Sequence, residues 1–375
     1  MVIILLFAGC VAAAGPVVDE RVVIDRVESE EVVFRVVEVV SGLAHPWALE
    51  FLPDGRILVT ERPGRMWVLE GDRMISVGGV PTVLSFGQGG LLDVMQHPDF
   101  SDNGWIYFSY AADYDGGIGM RVARARLEGE ALHDVEVIFE MESATPRSGA
   151  HFGSRFAFDD EGYLYVTLGD RGQRDRVQQL DTHHGKVVRL YDDGRVPEDN
   201  PFVDEPGAHP EIYSYGHRNQ QGMIFDSTTG LLWTHEHGPR GGDALHVIRP
   251  GLNYGWPLAT YGEEYRGGRI GVFPDERDDI VDPVVHWTPS IAPCGMAQHR
   301  DGQFPEWEGN LFIGALVQQH IRRVVLDGEE VVHQEALLRD ELGRIREVAQ
   351  GPDGNIWFTT DARDGGIFRI ERVEE

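Results

Sequence analysis

Imidazole, carboxylate and guanidinium groups gather in a few short stretches of this chain, and their spacing points to proton and anion chemistry. In HFGSRFAFDDEGYLYVTLGDRG, His151 stands just before one apolar run and Asp170 just after the next. A hairpin about the Asp160 to Gly162 turn pairs residues whose numbers sum to a constant, which brings 151 and 170 back to the same open end. A carboxylate beside an imidazole fixes its tautomer and stabilises its protonated form, as a general base at neutral pH requires. A purely structural His–Asp hydrogen bond would leave the same trace. In GRIREV, Arg344 and Arg346 fall on one face of a strand, roughly 7 Å apart. At an effective dielectric near 20 such charges repel by about 2 kcal/mol if they share a cavity. An anion would relieve them, and guanidinium forks suit carboxylates; a pair facing solvent needs no relief.

The stretch EIYSYGHRNQQGMIFDSTTGLLWTHEHGPRGGDALHVIRPGLNYGW, residues 211–256, holds more polar chemistry than a core strand pair can hide. Its short apolar runs read as strands, which puts Arg218, Asn219 and the EHGPRGGD run at strand ends and loops, where scaffolds present function. Singly, each of these also fits a turn residue, a solvated strand face or an exposed cation. Carbonyls at Gly238 and Pro239 and the carboxylate of Asp243 form a hard-oxygen set suited to calcium. Zinc fits less well, because His235 and His237 lack thiol partners or a third ligand at a recognisable spacing. Gln88, in FGQGGLLDV, is flanked by glycines that let backbone approach a ligand closely.

These residues must be held by repeated elements. An Asp-Gly or Asp-x-x-Gly turn, flanked by apolar residues and followed by a strand, recurs as FLPDGRILVTER, HPDFSDNGWIYFSY, FAFDDEGYLYVTLGD, MIFDSTTGLLWTHE, MAQHRDGQFPEWEGNLFIGAL and AQGPDGNIWFTTD. Spaced roughly 45 to 75 residues apart, six such units predict an all-β fold, a six-bladed β-propeller of four-stranded antiparallel blades. A β-sandwich with coincidental turns is the competing reading. In a propeller, loops from several blades converge over one end of a central channel, so residues distant in sequence can share a site.

The 375 residues carry a formal charge of −29, which argues against nucleic acid or an anionic membrane as partner. Residues 1–15, MVIILLFAGCVAAAG, resemble a secretory signal too short to span a bilayer. Ala8-Gly9-Cys10 also resembles a lipoprotein cleavage box, so a periplasmic or secreted destination is expected, with a lipid anchor at Cys10 left open. If Cys10 is removed or lipidated, only Cys294 remains and no intrachain disulfide forms. Residues 16–37, acidic and valine-rich, read as a linker that becomes a first or closing strand, and 38–375 as the propeller.

Taken in order, HFGSR, VTLGDRG, GHRN, HEHGPRGGD, NYGWP and GRIREV resemble the soluble glucose/sorbosone dehydrogenase family, and most closely its bacterial aldose sugar dehydrogenases, from about Ala44 to Ile370. The resemblance implies a six-bladed propeller that uses pyrroloquinoline quinone (PQQ) and calcium to oxidise aldoses at C1 to the lactone. Electrons would pass to an artificial acceptor or a small redox protein. His151 would take the proton of the anomeric hydroxyl as hydride passes to the quinone, with Asp170 holding the imidazole. Arg218 would stabilise the charge gained by the quinone carbonyl, with Asn219 beside it. Gln88, Arg344 and Arg346 would bind the cofactor's polar rim and its three carboxylates, and Tyr265, in TYGEEYRGG, would line the pocket. Calcium would bridge the cofactor and the carbonyls of Gly238 and Pro239, and Asp243 with the Tyr254 carbonyl would serve a second calcium site.

This chain departs from the family pattern at three positions. Val317 stands where relatives commonly carry a cofactor-contacting lysine, Ala244 where a carboxylate serves the second calcium, and Gln220 where a proline follows GHRN. The alternative function is a non-catalytic propeller that binds sugar or protein after loss of the cofactor. A calcium-dependent lactonase is a third reading, less favoured because it leaves the arginine pair without a purpose.

Overall fold

The computed structural model describes residues 15–143 and 148–373. The expected signal and Cys10 lie outside the described residues. Each recurring Asp-containing unit is the hairpin joining the first and second strands of one blade. In four of them the aspartate, Asp54, Asp159, Asp226 or Asp353, accepts the backbone N–H two residues on, at 3.0–3.1 Å. This side-chain mimic of a turn explains why aspartate recurs there.

Six antiparallel sheets result, as expected. Their first strands are Pro46–Phe51, Leu91–Gln96, Gly153–Phe158, Gln220–Asp226, Pro293–Gln298 and Ile345–Gln350, each packed on the next round a closed ring. Large apolar side chains fill the space between neighbouring blades: Phe108 and Phe156 lie in one such seam, and Phe34, Trp307 and Phe358 in another.

The ring is closed by the N-terminal segment. Val33–Leu43 pairs with Gly365–Arg372, the last strand of the sixth blade, Phe34 opposite Arg372. Val17–Glu28 adds a fifth, outermost strand to that sheet. Most of the stretch expected as a linker running into a strand is therefore already strand. Its valines pair along a sheet, and its charges face water.

First strands begin, and second strands end, at the same end of the propeller. The residue before each first strand and the residue after each second strand are thus delivered to one face, and the Asp turns go to the other. Within the channel, toward the turn end, a hollow of about 250 Å³ is walled by all six first strands. Arg155 is buried there. It donates to Asp93 at 3.3 Å, to Glu347 and, through Nε, to the Gln221 carbonyl at 2.8 Å, and it lies 4.0 Å from the Trp47 ring.

Glu50 shares this hollow without a cation of its own. Burial pushes its carboxyl up to about 8, a shift that the Gln96 amide opposes and the Asp93 and Glu347 charges reinforce. Between the ordinary carboxylate value and pH 8 the folded chain keeps a proton that the unfolded chain has lost, so stability falls as pH rises through that window. Ionising Glu50 in this hollow therefore costs the folded state on the order of a few kcal/mol. Urea unfolding at pH 5 and pH 8 should therefore show Glu50→Gln gaining stability relative to wild type at the higher pH. An equal pH dependence in both proteins would refute this.

Candidate functional site

Blade 3 supplies the imidazole–carboxylate pair. Gly153 pairs with Leu168, and continuing that register outward sets 151 beside 170. His151 Nδ1 and Asp170 Oδ1 are 2.6 Å apart. Asp170 Oδ1 also accepts the Gly172 N–H at 2.7 Å, and Oδ2 accepts the Trp256 indole N–H at 2.8 Å. Burial works to raise the Asp170 carboxyl, but the His151 hydrogen bond and the charge of Arg218 hold it below the usual range. It is therefore an anion at neutral pH, and its acceptance of Nδ1–H leaves the His151 Nε2 lone pair for chemistry.

The His151 backbone is held in the left-handed region, φ 51°, a conformation costly for a residue with a side chain. Its N–H donates to Gln88 Oε1 at 2.6 Å, which pins it there. Gly169 makes the fit possible, since a Cβ at that position would lie 2.1 Å from the His151 carbonyl oxygen.

Blade 4 places Arg218 and Asn219 immediately before its first strand and His237 to Pro239 immediately after its second. Arg218 donates through Nη1 to the carbonyls of His237 and Gly238 at 3.0 and 2.9 Å, and its Nε is buried with no partner. Tyr265, 70% exposed at the mouth, brings its hydroxyl to 3.5 Å from Arg218 Nη2. Asn219 Oδ1 accepts the Gly153 N–H at 3.2 Å, tying blade 4 to blade 3. His235 and His237 donate to the carbonyls of Gly295 and Pro293 in blade 5, and burial holds both imidazoles well below their ordinary value. They are clasps between blades.

Blade 6 supplies Arg344 and Arg346, and here the structure adds a partner. Asp361 Oδ2 lies 3.3 Å from Arg344 and 3.1 Å from Arg346, and Asp361 Oδ1 lies 2.7 Å from His45 Nδ1. Burial would raise the Asp361 carboxyl, yet the arginines and His45 hold it far below the usual range. The repulsion foreseen between the two arginines is thus partly relieved from within the protein. Arg62, after the second strand of blade 1, lines the same hollow. Burial lowers its guanidinium from the ordinary value; Asp361 offsets part of this, and Arg346 and Arg344 add to it. The hollow remains net cationic in a protein of charge −29.

Two communicating hollows result. The deeper, about 280 Å³, is lined by Trp47, Arg62, Asn219, Arg344, Arg346 and Asp361; the outer cleft, about 700 Å³, by His151, Arg218, Gly238, Pro239, Glu263 and Tyr265. Gln88, His237, Ala292 and Val317 wall both. Together they have the size of a small-ligand or cofactor site. Val317 is 46% exposed on the shared wall.

Asp243, expected to bind calcium, is engaged by hydrogen bonds within the protein. Its Oδ1 accepts the Gly238 N–H at 2.8 Å; its Oδ2 accepts the Ser290 hydroxyl at 2.7 Å and the N–H groups of Ile291 and Ala292 at 2.8 Å. Asp243 ties the Gly238 loop to blade 5, and its Oδ1 keeps one lone pair beyond that used by the Gly238 N–H. Tyr254 is buried, its hydroxyl donating to the Val247 carbonyl at 2.8 Å.

Arg62, Trp47, Trp256 and Asp361 were not anticipated from the sequence. The signal was present for two of them: Arg62 and Asp361 follow the second strands of their blades, as Asp170 follows its own.

A sequence model described as Glucose / Sorbosone dehydrogenase matches residues 43–369. The chain is 42% identical to the aldose sugar dehydrogenase YliI of Escherichia coli, over 88% of this chain and 90% of that protein. The crystal structure of the soluble aldose sugar dehydrogenase from E. coli in the apo form superposes with a TM-score of 0.87 at 40% identity, covering 91% of this chain and all of that one. A PQQ-bound aldose sugar dehydrogenase from Streptomyces coelicolor gives a TM-score of 0.73 at 28% identity, over 96% of this chain and 99% of that one. With nearly the whole propeller matched, and with an imidazole–carboxylate pair and an arginine-lined hollow meeting at one end of it, this chain belongs to the glucose/sorbosone dehydrogenase family.

Proposed function

We propose that this protein is a PQQ-dependent aldose dehydrogenase that oxidises the sugar at C1 to the lactone, with His151 as general base. The reading is carried by one observation: the His151–Asp170 pair and the Arg62, Arg344 and Arg346 hollow open into a single cleft. PQQ, when bound, supplies the two-electron acceptor. The donor set suits it, because a net cationic hollow with an unpartnered buried Nε on Arg346 matches a flat tricarboxylate.

The chain's own groups perform the rest. His151 Nε2 takes the proton of the anomeric hydroxyl, and the Asp170 carboxylate stabilises the imidazolium. Trp256 holds Asp170 in place, and Arg218, with a face 5.4 Å from the Trp256 ring, presents positive charge to the outer cleft. Gln88 fixes the His151 backbone. Calcium would be held by the Gly238 and Pro239 carbonyls and would polarise what binds there. The Gly238 oxygen already accepts from Arg218, so metal and guanidinium share one acceptor. Among the described residues no helix is long and apolar enough to cross a membrane; a periplasmic location, a small aldose as substrate and an artificial or small redox-protein electron acceptor complete the proposal.

Reconstitution tests it. Purified protein with PQQ and calcium should reduce a redox dye when given glucose or another aldose, and protein without PQQ should not. Failure to bind PQQ at high micromolar concentration with calcium present would favour a non-catalytic sugar- or protein-binding propeller instead.

A further inference from the structure

A second cluster of ligating side chains lies away from the cleft, at the seam between blades 2 and 3. Glu142, just beyond Ala131–Glu140, and His183 and His209, in the loops of blade 3, each bring one ligand atom within 4.8 Å of the other two. The imidazoles of His183 and His209 lie 4.1 Å apart, centroid to centroid, at 30°.

The protonation pattern is set by the neighbours. His183 Nε2 lies 2.7 Å from Glu211 Oε1, and His183 Nδ1 accepts the Glu142 N–H at 3.3 Å. An imidazole that accepts at Nδ1 carries its proton on Nε2, and its one Nδ1 lone pair is engaged by the Glu142 N–H, a long bond at 3.3 Å that an entering ion would displace. A carboxylate that accepts from the far nitrogen is the usual support behind a metal-ligating imidazole. His209 Nδ1 stands 3.6 Å from the same Glu211 oxygen, too far for a hydrogen bond, so its ring is not committed. Glu142 Oε2 is taken by the Thr182 hydroxyl at 2.6 Å and the His183 N–H at 3.0 Å, whereas Oε1 faces only Arg176, at 3.6 Å.

We propose that Glu142, His183 and His209 bind one late first-row divalent cation, zinc being the reference, with Glu211 orienting His183. Two imidazole nitrogens and one carboxylate oxygen favour zinc, nickel or cobalt over calcium and magnesium, which prefer all-oxygen shells. His209 and Glu142 are part-exposed, each side chain about one-third accessible, which gives the ion an entry path and leaves a coordination position for water. The site pins the loop that begins at Asp170 to the edge of blade 2, so its occupancy bears on rigidity near the cleft without contributing a reacting group.

The test uses the full chain, free of any histidine tag and stripped with a chelator. Calorimetric titration with zinc should give one equivalent per chain, cobalt should develop the visible absorption of low-coordinate N/O ligation, and zinc should raise the melting temperature. His209→Asn, at a part-exposed position, and Glu142→Gln should each weaken zinc binding at least tenfold, and His151→Asn should not. Absence of a zinc equivalent, or one that survives both substitutions unchanged, overturns the proposal. Neither outcome depends on PQQ or on sugar oxidation.

Discussion

His151→Gln should lower kcat for PQQ-dependent aldose oxidation by about 10²- to 10⁴-fold, the range a positioned general base contributes, while PQQ binding changes little. Glutamine can still occupy the space at the cleft but has no lone pair basic enough to take a hydroxyl proton. Asp170→Asn should fall in the same range, for a reason specific to this geometry. Asp170 Oδ1 faces both the His151 ring and the Gly172 N–H, and Oδ2 faces the Trp256 N–H. An amide must turn its NH₂ to one of these places. Turned to Trp256, it sets donor against donor. Turned to His151, it meets the Gly172 N–H and donates to Nδ1, which drives the imidazole proton onto Nε2 and removes the base. Steady-state dye reduction at saturating PQQ, beside a separate PQQ titration, checks both variants. More than a tenth of wild-type kcat retained by His151→Gln would sink the assignment of the base.

The propeller was legible because each blade buries its faces against neighbours through the same hairpin, and aspartate is the residue that closes that hairpin locally. The His151–Asp170 contact was legible for the same reason: strand register is arithmetic, and although a bulge between Gly153 and Phe156 moves the sum from 322 to 321, it leaves 151 and 170 at the same end. Applied to every blade, that arithmetic would also have placed Arg62 and Asp361 at the site. In ERPGR, however, Arg62 looks like a solvated turn, and nothing local tells Asp361 that two arginines await it from across a hairpin. Asp243 shows the converse limit. A carboxylate in a glycine-rich loop reads as a metal ligand, and the donors that engage it from residues 290–292 are brought to it only by the folded chain. A first or closing strand was legible in the valine-rich N-terminal stretch, but its partner was not, because Val33–Leu43 pairs with Gly365–Arg372 at the other end of the sequence.

Arg346→Met should weaken PQQ binding by about tenfold to more than a hundredfold, from the 1.5–3 kcal/mol typical of a hydrogen bond to a charged group. Arg346 is buried and already oriented: Nη2 on Asp361 at 3.1 Å, Nη1 on Gln221 Oε1 at 3.2 Å and on the Cys294 sulfur at 2.9 Å, with Nε left open. A group held this way loses little entropy when an anion arrives, and it acts where water screens poorly. Arg344 shares Asp361, but 44% of its side chain is exposed, so Arg344→Met should cost about 1 kcal/mol or less. Methionine beside Trp47 replaces the guanidinium without leaving a void, and a melting curve separates loss of binding from loss of fold. With one fewer cation in the hollow, PQQ affinity in Arg346→Met should also depend less steeply on salt than in wild type. A titration in which Arg344→Met proves the more damaging of the two, or in which Arg346→Met binds PQQ within twofold of wild type, would mean that the deep hollow is not where the tricarboxylate sits.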